Sequence, residues 1–196
     1  MQSTLQLNRC AWVSDDAQYQ HYHDHEWGRP ETASQALFAK LCLDGQQAGL
    51  SWITILRKQA NYEAAFHNFV PQKIVTMDEQ GLEALMHNPG IIRNRLKIRA
   101  IVANARAYMA IEEKQSFSDY LWQFTDGKTI INRWNDLSLV PVSTPESTRM
   151  AKTLKKDGFK FVGETICYAF MQAVGMVNDH TTDCHCYDEI CTLARR

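Results

Sequence analysis

Two groups of sulfur and imidazole side chains stand far apart in the chain. Cys10 and a run of three histidines, His21, His23 and His25, lie near the start; His180, Cys184, His185 and Cys186 lie near the end. Tetrahedral zinc accepts thiolate sulfur and imidazole nitrogen alike. His180 and Cys184 are four residues apart, which on a helical turn sets both on one face. Cys10 with one of the three histidines can supply a second pair, and four such ligands would close a structural site that ties down the chain ends. Without a metal, the same residues are surface histidines and small buried thiols. Cys42 and Cys167 fall within apolar helical patterns and read as core, and Cys191 as incidental.

A second constellation surrounds one carboxylate. Trp12, Tyr19, Tyr22 and Trp27 crowd the N-terminal region, and Trp52 follows the small-residue segment Asp44-Gly45-Gln46-Gln47-Ala48-Gly49-Leu50-Ser51. Each aromatic alone is ordinary core material. Together, a carboxylate, two amides and several aromatics around glycine-rich turns can form a pocket that stacks a flat ring and reads its polar edge.

The third feature is a turn between two helices. Residues 88–99, NPGIIRNRLKIR, contain a helix breaker, Gly90, the apolar pair Ile91 and Ile92, and a helix expected to open with Arg93 and Arg95. Free amides at a helix start with arginines beside them suit a DNA phosphate. Arg95, Arg99 and Arg106 share a face, and Arg149, Lys152 and Lys156 form a second basic stripe. A solvated helix face opposite a core face is the plainer account and explains most such stripes.

The elements that must position these groups read as helices. Two or three are expected between Thr32 and Phe69, with restarts after Gly45 and Gly49. Another ends near His87. The next begins around Asn94 and carries Leu96, Ile98, Ile101, Val102, Ala105 and Met109 on its apolar face. Thr144-Pro145-Glu146 starts a helix that Gly158 ends, and a further helix runs from about Glu164 to Val174. Residues 125–142 are less periodic and read as a long surface connection. With no alternating strand ladder, the fold class is all-α and a single domain.

A net charge of −1 excludes binding driven by a globally basic surface, so any nucleic-acid contact is local. Six cysteines in 196 residues are too dilute for a disulfide scaffold. No run reaches the ~18 apolar residues of a membrane span, and the opening MQSTLQLNRC has neither a basic flank nor an apolar core. A cytoplasmic protein, without a membrane partner, is expected.

The strings RCAWV, YHDHEWGRPE, LCLDGQQAGLSWITIL, GIIRNRLKI, NARAY, LKKDGFKFVG, ICYAFMQAVGMVNDH and HTTDC resemble the DNA-3-methyladenine glycosylase I family, in order, from Cys10 to Cys186. The resemblance implies a helix-hairpin-helix DNA glycosylase: one domain over residues 1–196, with the helix-hairpin-helix near 78–106 and zinc-binding segments at 10–23 and 180–184. It selects Cys10, His23, His180 and Cys184 as ligands of one structural zinc. It makes Tyr22, Asp44 and Trp52 the base pocket, with Trp12 and Trp27 lining or supporting it. Gly90, Ile91, Arg93 and Arg95 become DNA contacts, and Leu50, with Gln47 beside it, the wedge that fills the gap left by a flipped nucleotide; the plainer alternative packs Leu50 under Trp52.

The implied activity is base-excision repair: a monomeric, monofunctional enzyme releases 3-methyladenine from alkylated duplex DNA by hydrolysing the N-glycosidic bond, with no lyase step. Asp44 stands where the family carries glutamate, one methylene shorter. Neither Asp119 nor Asp126, the carboxylates after the hairpin, lies in a motif that marks a general base, so Asp44 is the one candidate for catalytic help. Two rivals are a zinc hydrolase, which would need an open metal position, and a lesion-binding module without catalysis.

Overall fold

A computed structural model describes residues 7–195; residues 1–6, which hold most of the opening segment read above, and residue 196 lie outside it. The chain begins with α1 (Ala17–His25), whose first turn is capped by the Asp16 carboxylate accepting from the Tyr19 amide. Its sequence, AQYQHYHDH, has no apolar stripe, and the sequence reading placed no helix there. The helix holds because Tyr22 and His23 are buried on one side, so tertiary packing supplies what periodicity does not.

Residues 32–69 form the expected helices: α2 (Ser34–Gln47), α3 (Trp52–Leu56) and α4 (Gln59–Ala65). Gly45 does not break the first of them but lies inside α2, where a Cβ would come within 3.2 Å of Phe161. The break falls at Gly49, whose φ of +78° a side chain would strain. The short α5 (Pro71–Ile74) and α6 (Glu79–Leu85) follow, the latter capped by Asp78. After a nine-residue loop comes the longest helix, α7 (Arg95–Glu112), which packs on α2, α5 and α6. Leu37, Phe38, Leu41, Ile98, Ile101 and Ala105 are buried in the shared core. Leu96 departs from the expected apolar face and is 71% exposed.

The remaining helices are α8 (Phe117–Trp122), capped by Ser116, α9 (Pro145–Lys156), α10 (Glu164–Ala173) and α11 (Tyr187–Leu193). As the Thr-Pro-Glu string predicts, Thr144 caps the start of α9 with Pro145 behind it; Ser147 completes a reciprocal capping box that the string does not signal. Gly158, at φ +101°, ends it. The architecture is mostly helical, and the all-α expectation needs one correction: β1 (Ile130–Ile131) pairs in parallel with β2 (Val177–Asn178), Ile130 opposite Val177. Residues 125–142 are accordingly more than a surface connection. They run beside β2, and the Asn132 and Trp134 side chains donate to Asp179 at 2.6 and 2.7 Å.

Candidate functional site

The C-terminal half of α2, the start of α3, the end of α1 and the segment around α10 and β2 enclose a cavity of about 210 Å³. Its wall includes Trp12, Tyr22, Trp27, Asp44, Gln47 and Trp52, so the expected aromatic and carboxylate residues do converge. The Tyr22 and Trp52 rings lie 5.4 Å apart at 42°, and Trp12 meets Trp27 edge-on at 5.1 Å. Trp12 is half-buried; the other three aromatics are buried.

Asp44 is 1% exposed, and its Oδ2 has no hydrogen-bond partner. The Trp52 indole Nε1 is likewise buried without an acceptor. A buried carboxylate oxygen is costly to leave unpaired, so an unpartnered acceptor on a residue that lines an aromatic cavity marks a place for a ligand's donor. Burial pushes the Asp44 pKa up from the usual carboxylate value, and Lys40, one turn earlier, opposes that shift. Lys40 pairs with Asp44 Oδ1 and holds its Nζ 3.8 Å from the centre of the Trp52 ring. Burial lowers the Lys40 pKa in turn, against the pull of Asp44 and Glu26. The sequence reading missed Lys40, although Lys and Asp four apart on a helix are the available signal.

Asp179 was missed as well. It lines the cavity and accepts from Asn132, Trp134, Tyr168 and Gln172 at 2.6–2.8 Å. With four donors its oxygens are engaged, and it fixes the wall. Asp119 and Asp126 are exposed and line no part of this cavity among the described residues.

Cys10, His23, His180 and Cys184 meet behind the aromatic wall, all buried, with ligand atoms within 4.8 Å of one another. Cys184 Sγ is 3.4 Å from His180 Nδ1 and 3.5 Å from His23 Nε2, and Cys10 Sγ is 3.6 Å from His180 Nδ1. A tetrahedral ion with bonds of about 2.3 Å to sulfur and 2.0–2.1 Å to nitrogen has S···N edges of roughly 3.5 Å, so the donor set fits zinc. The other nitrogen of each imidazole faces an oxygen, His23 Nδ1 the Asp24 carboxylate at 2.8 Å and His180 Nε2 the Trp27 carbonyl at 3.2 Å, an arrangement that orients metal-binding histidines. Burial works to raise the Asp24 pKa, but Arg9 and His23 hold it at about 2. His180 and Cys184 lie on a non-helical turn closed by Cys184 N–H to Thr181 C=O, not on the helical turn that the spacing suggested. His21 and His25 remain exposed on α1.

The hairpin brings its own corrections. Helix α7 opens at Arg95 behind an Asn94 cap, leaving Arg93 exposed in the loop. Ile91 is 2% exposed, main chain included, and is an anchor in the core rather than an outward-facing contact. The amides expected to be free have protein partners: Gly90 N–H donates to Asn88 Oδ1 at 2.8 Å and Ile92 N–H to the Tyr62 hydroxyl at 3.1 Å. Gly90 itself is required, because a Cβ would lie 2.8 Å from Asn61. Two members of the basic stripe are paired, Arg95 with Glu83 at 2.8 Å and Arg99 with Glu79. In the second stripe Arg149 donates to the Phe124 carbonyl, while Lys152 and Lys156 are exposed.

One network joins the hairpin to the end of α2. Tyr62 donates to Gln46, Gln46 to the Lys97 carbonyl, and the Lys97 ammonium to the carbonyls of Gln46 and Ala48 at 2.7 Å. Lys97 thus closes the C-terminal end of α2, just before Gly49 and the 40%-exposed Leu50.

A family model described as methyladenine glycosylase matches residues 12–187. The DNA-3-methyladenine glycosylase 1 of Escherichia coli is 53% identical over 182 residues, 92% of this chain and 97% of that protein. The DNA-3-methyladenine glycosylase of Haemophilus influenzae is 53% identical over 179 residues, 91% and 97% of the two chains. Among solved structures, one 3-methyladenine DNA glycosylase I superposes with a TM-score of 0.91 at 56% identity, covering 92% of this chain and all of the other. A Staphylococcus aureus 3-methyladenine DNA glycosylase I, described for its 3-methyladenine recognition, reaches 0.89 at 40% identity, covering 92% and 97%.

Proposed function

From the premise that this chain belongs to the methyladenine glycosylase family, we propose how it works as a base-excision repair glycosylase that hydrolytically releases 3-methyladenine from DNA. The observation that carries the pocket assignment is the unpartnered Asp44 Oδ2 inside an aromatic cavity.

Methylation at N3 makes the adenine of the nucleotide cationic, so the base leaves as a neutral molecule and needs no proton from an acid. The enzyme's task is selection and positioning. A nucleotide flipped out of the duplex enters the cavity, packs its ring against Tyr22 and Trp52, and donates its exocyclic amine to Asp44 Oδ2. Trp12 and Trp27 back the site. Although Asp44 is shorter than the family's glutamate, its carboxylate still borders the cavity and keeps one oxygen free. Its negative charge also favours the cation that develops on the sugar as the C1′–N9 bond lengthens.

Leu50, exposed beside Gln47 on the loop after α2, fills the gap left in the base stack. The loop between α6 and α7 grips the backbone, with Gly90 presenting main chain, Ile91 anchoring the turn in the core, and Arg93 and Arg95 supplying charge. Arg93, which makes no ion pair among the described residues, is the stronger contributor. Residues 78–106 are thus read as the helix-hairpin-helix of a single domain spanning residues 1–196, working as a monomer on duplex DNA. Cys10, His23, His180 and Cys184 would hold one zinc, whose contribution when bound is structural: with four protein ligands, no position is left for a reacting water.

Soaking the protein with free 3-methyladenine tests the pocket. The base is expected to quench tryptophan fluorescence, with the response lost in Asp44→Ala and reduced in Trp52→Phe; equal binding by wild type and Asp44→Ala sends the base elsewhere.

A further inference from the structure

Asp44 is shared. Its Oδ1 pairs with the Lys40 ammonium, its Oδ2 has no partner, and Asp44 and Lys40 both line the cavity. The Lys40 side chain is only 17% exposed, and its Nζ is confined between the carboxylate and the Trp52 face, 3.8 Å from the ring centre. Two groups on the two oxygens of one carboxylate stand on the order of 5–6 Å apart. Resting on the reading that Asp44 Oδ2 receives the base, this puts a fixed positive charge beside a base that arrives positive and leaves neutral.

We propose that Lys40 is a further residue of this pocket that sets its specificity and rate by charge, its ammonium repelling the cationic base of the bound nucleotide and thereby favouring its departure as a neutral molecule. In the step concerned, the C1′–N9 bond breaks and both of its electrons pass to N9, cancelling the ring's positive charge. The sugar C1′ takes the oxygen of water, whose proton passes to solvent. Repulsion from Lys40 is felt in the ground state and fades as the bond breaks, so it lowers the barrier without adding to substrate binding. Asp44 without its partner would hold the base cation before reaction as well as favour the sugar cation after it, and the ammonium offsets the first of these. The ion pair also leaves the pocket with no net charge toward the neutral product, which releases it more readily.

The test compares two free ligands on the full-length, metal-loaded protein: neutral 3-methyladenine, and 3,9-dimethyladeninium, in which a methyl on N9 stands in for the sugar and keeps the ring cationic. Wild type is expected to favour the neutral ligand. Lys40→Met shifts the ratio of the two dissociation constants at least tenfold toward the cation, while Lys40→Arg, which keeps the charge, stays within about threefold of wild type. On methylated duplex, Lys40→Met lowers kcat tenfold or more with KM unchanged or reduced. Lys40→Gln is read in the same way should the Met variant fail to fold. An unchanged ligand ratio in the uncharged variants, or a kcat equal to wild type, overturns the proposal for Lys40 and leaves the pocket assignment standing. Failure of wild type to bind either ligand overturns the assignment, and this inference with it.

Discussion

At the residue scale the account turns on Asp44. A buried carboxylate with one oxygen unpartnered is a cost to the fold that only a ligand recovers. Asp44→Asn is therefore expected to lower excision by roughly 10²–10³-fold in single-turnover kinetics. The raised Asp44 pKa fixes the sign of its own contribution to the pH dependence of stability. Stability drawn from the protonated form is complete below the unfolded value near 3.8 and is lost as pH rises through the folded value, so at neutral pH the charge works against folding. For the same reason the acid limb of kcat/KM lies above the range of an ordinary carboxylate; a limb below pH 4 would remove Asp44 as the ionised recognition group. Asp44 and the aromatics were legible because carboxylate, amides and rings cluster around two glycines. Lys40 was not, since a lysine on an amphipathic helix reads as a surface residue until the fold encloses it. Asp179 was hidden similarly, its four donors coming from residues 132, 134, 168 and 172.

At the scale of elements, recognition depends on how the end of α2 is held against α7. The Lys97 ammonium closes the α2 carbonyls, and Gln46 and Tyr62 carry the connection to the Ile92 amide of the hairpin. Lys97→Met removes charge-assisted hydrogen bonds from a site 6% exposed. It is expected to cost about 2–3 kcal/mol of stability in denaturant unfolding, and to weaken duplex binding because the wedge loop loses its anchor. Leu50→Ala touches only the exposed tip. It should leave stability within about 0.5 kcal/mol yet lower excision from duplex more than from single-stranded DNA, and equal loss on both would retire the wedge. Caps, breakers and apolar periodicity made α7, α9 and α10 readable from sequence. Polar α1 has no such pattern, and its order comes from Tyr22 and His23 meeting partners distant in sequence.

The whole molecule is closed by residues that sequence can nominate but not bring together. Cys10 and His23 reach His180 and Cys184 across most of the chain, and the aromatic wall leans on them: Trp27 lies edge-on to His180 at 4.6 Å and Trp12 edge-on to His23 at 5.3 Å. Gly28 permits the approach, since a Cβ there would meet His180 Nε2 at 2.9 Å. Stripping the metal is accordingly expected to lower the melting temperature by about 10 °C or more, equivalent to roughly 3–5 kcal/mol for a chain of this size. Restoring zinc should restore it, and molecules that remain folded should keep excising. Excision that falls in proportion to metal content at constant fold would favour a catalytic ion.

The most direct measurement is chromatography of the free bases released from methylated duplex DNA by wild type and Asp44→Asn side by side. The account predicts that wild type liberates 3-methyladenine while 7-methylguanine stays in the DNA, and that the variant, equally folded, liberates almost none. Release of 3-methyladenine at the same rate by both proteins, or no release by folded, zinc-loaded wild type, would contradict it.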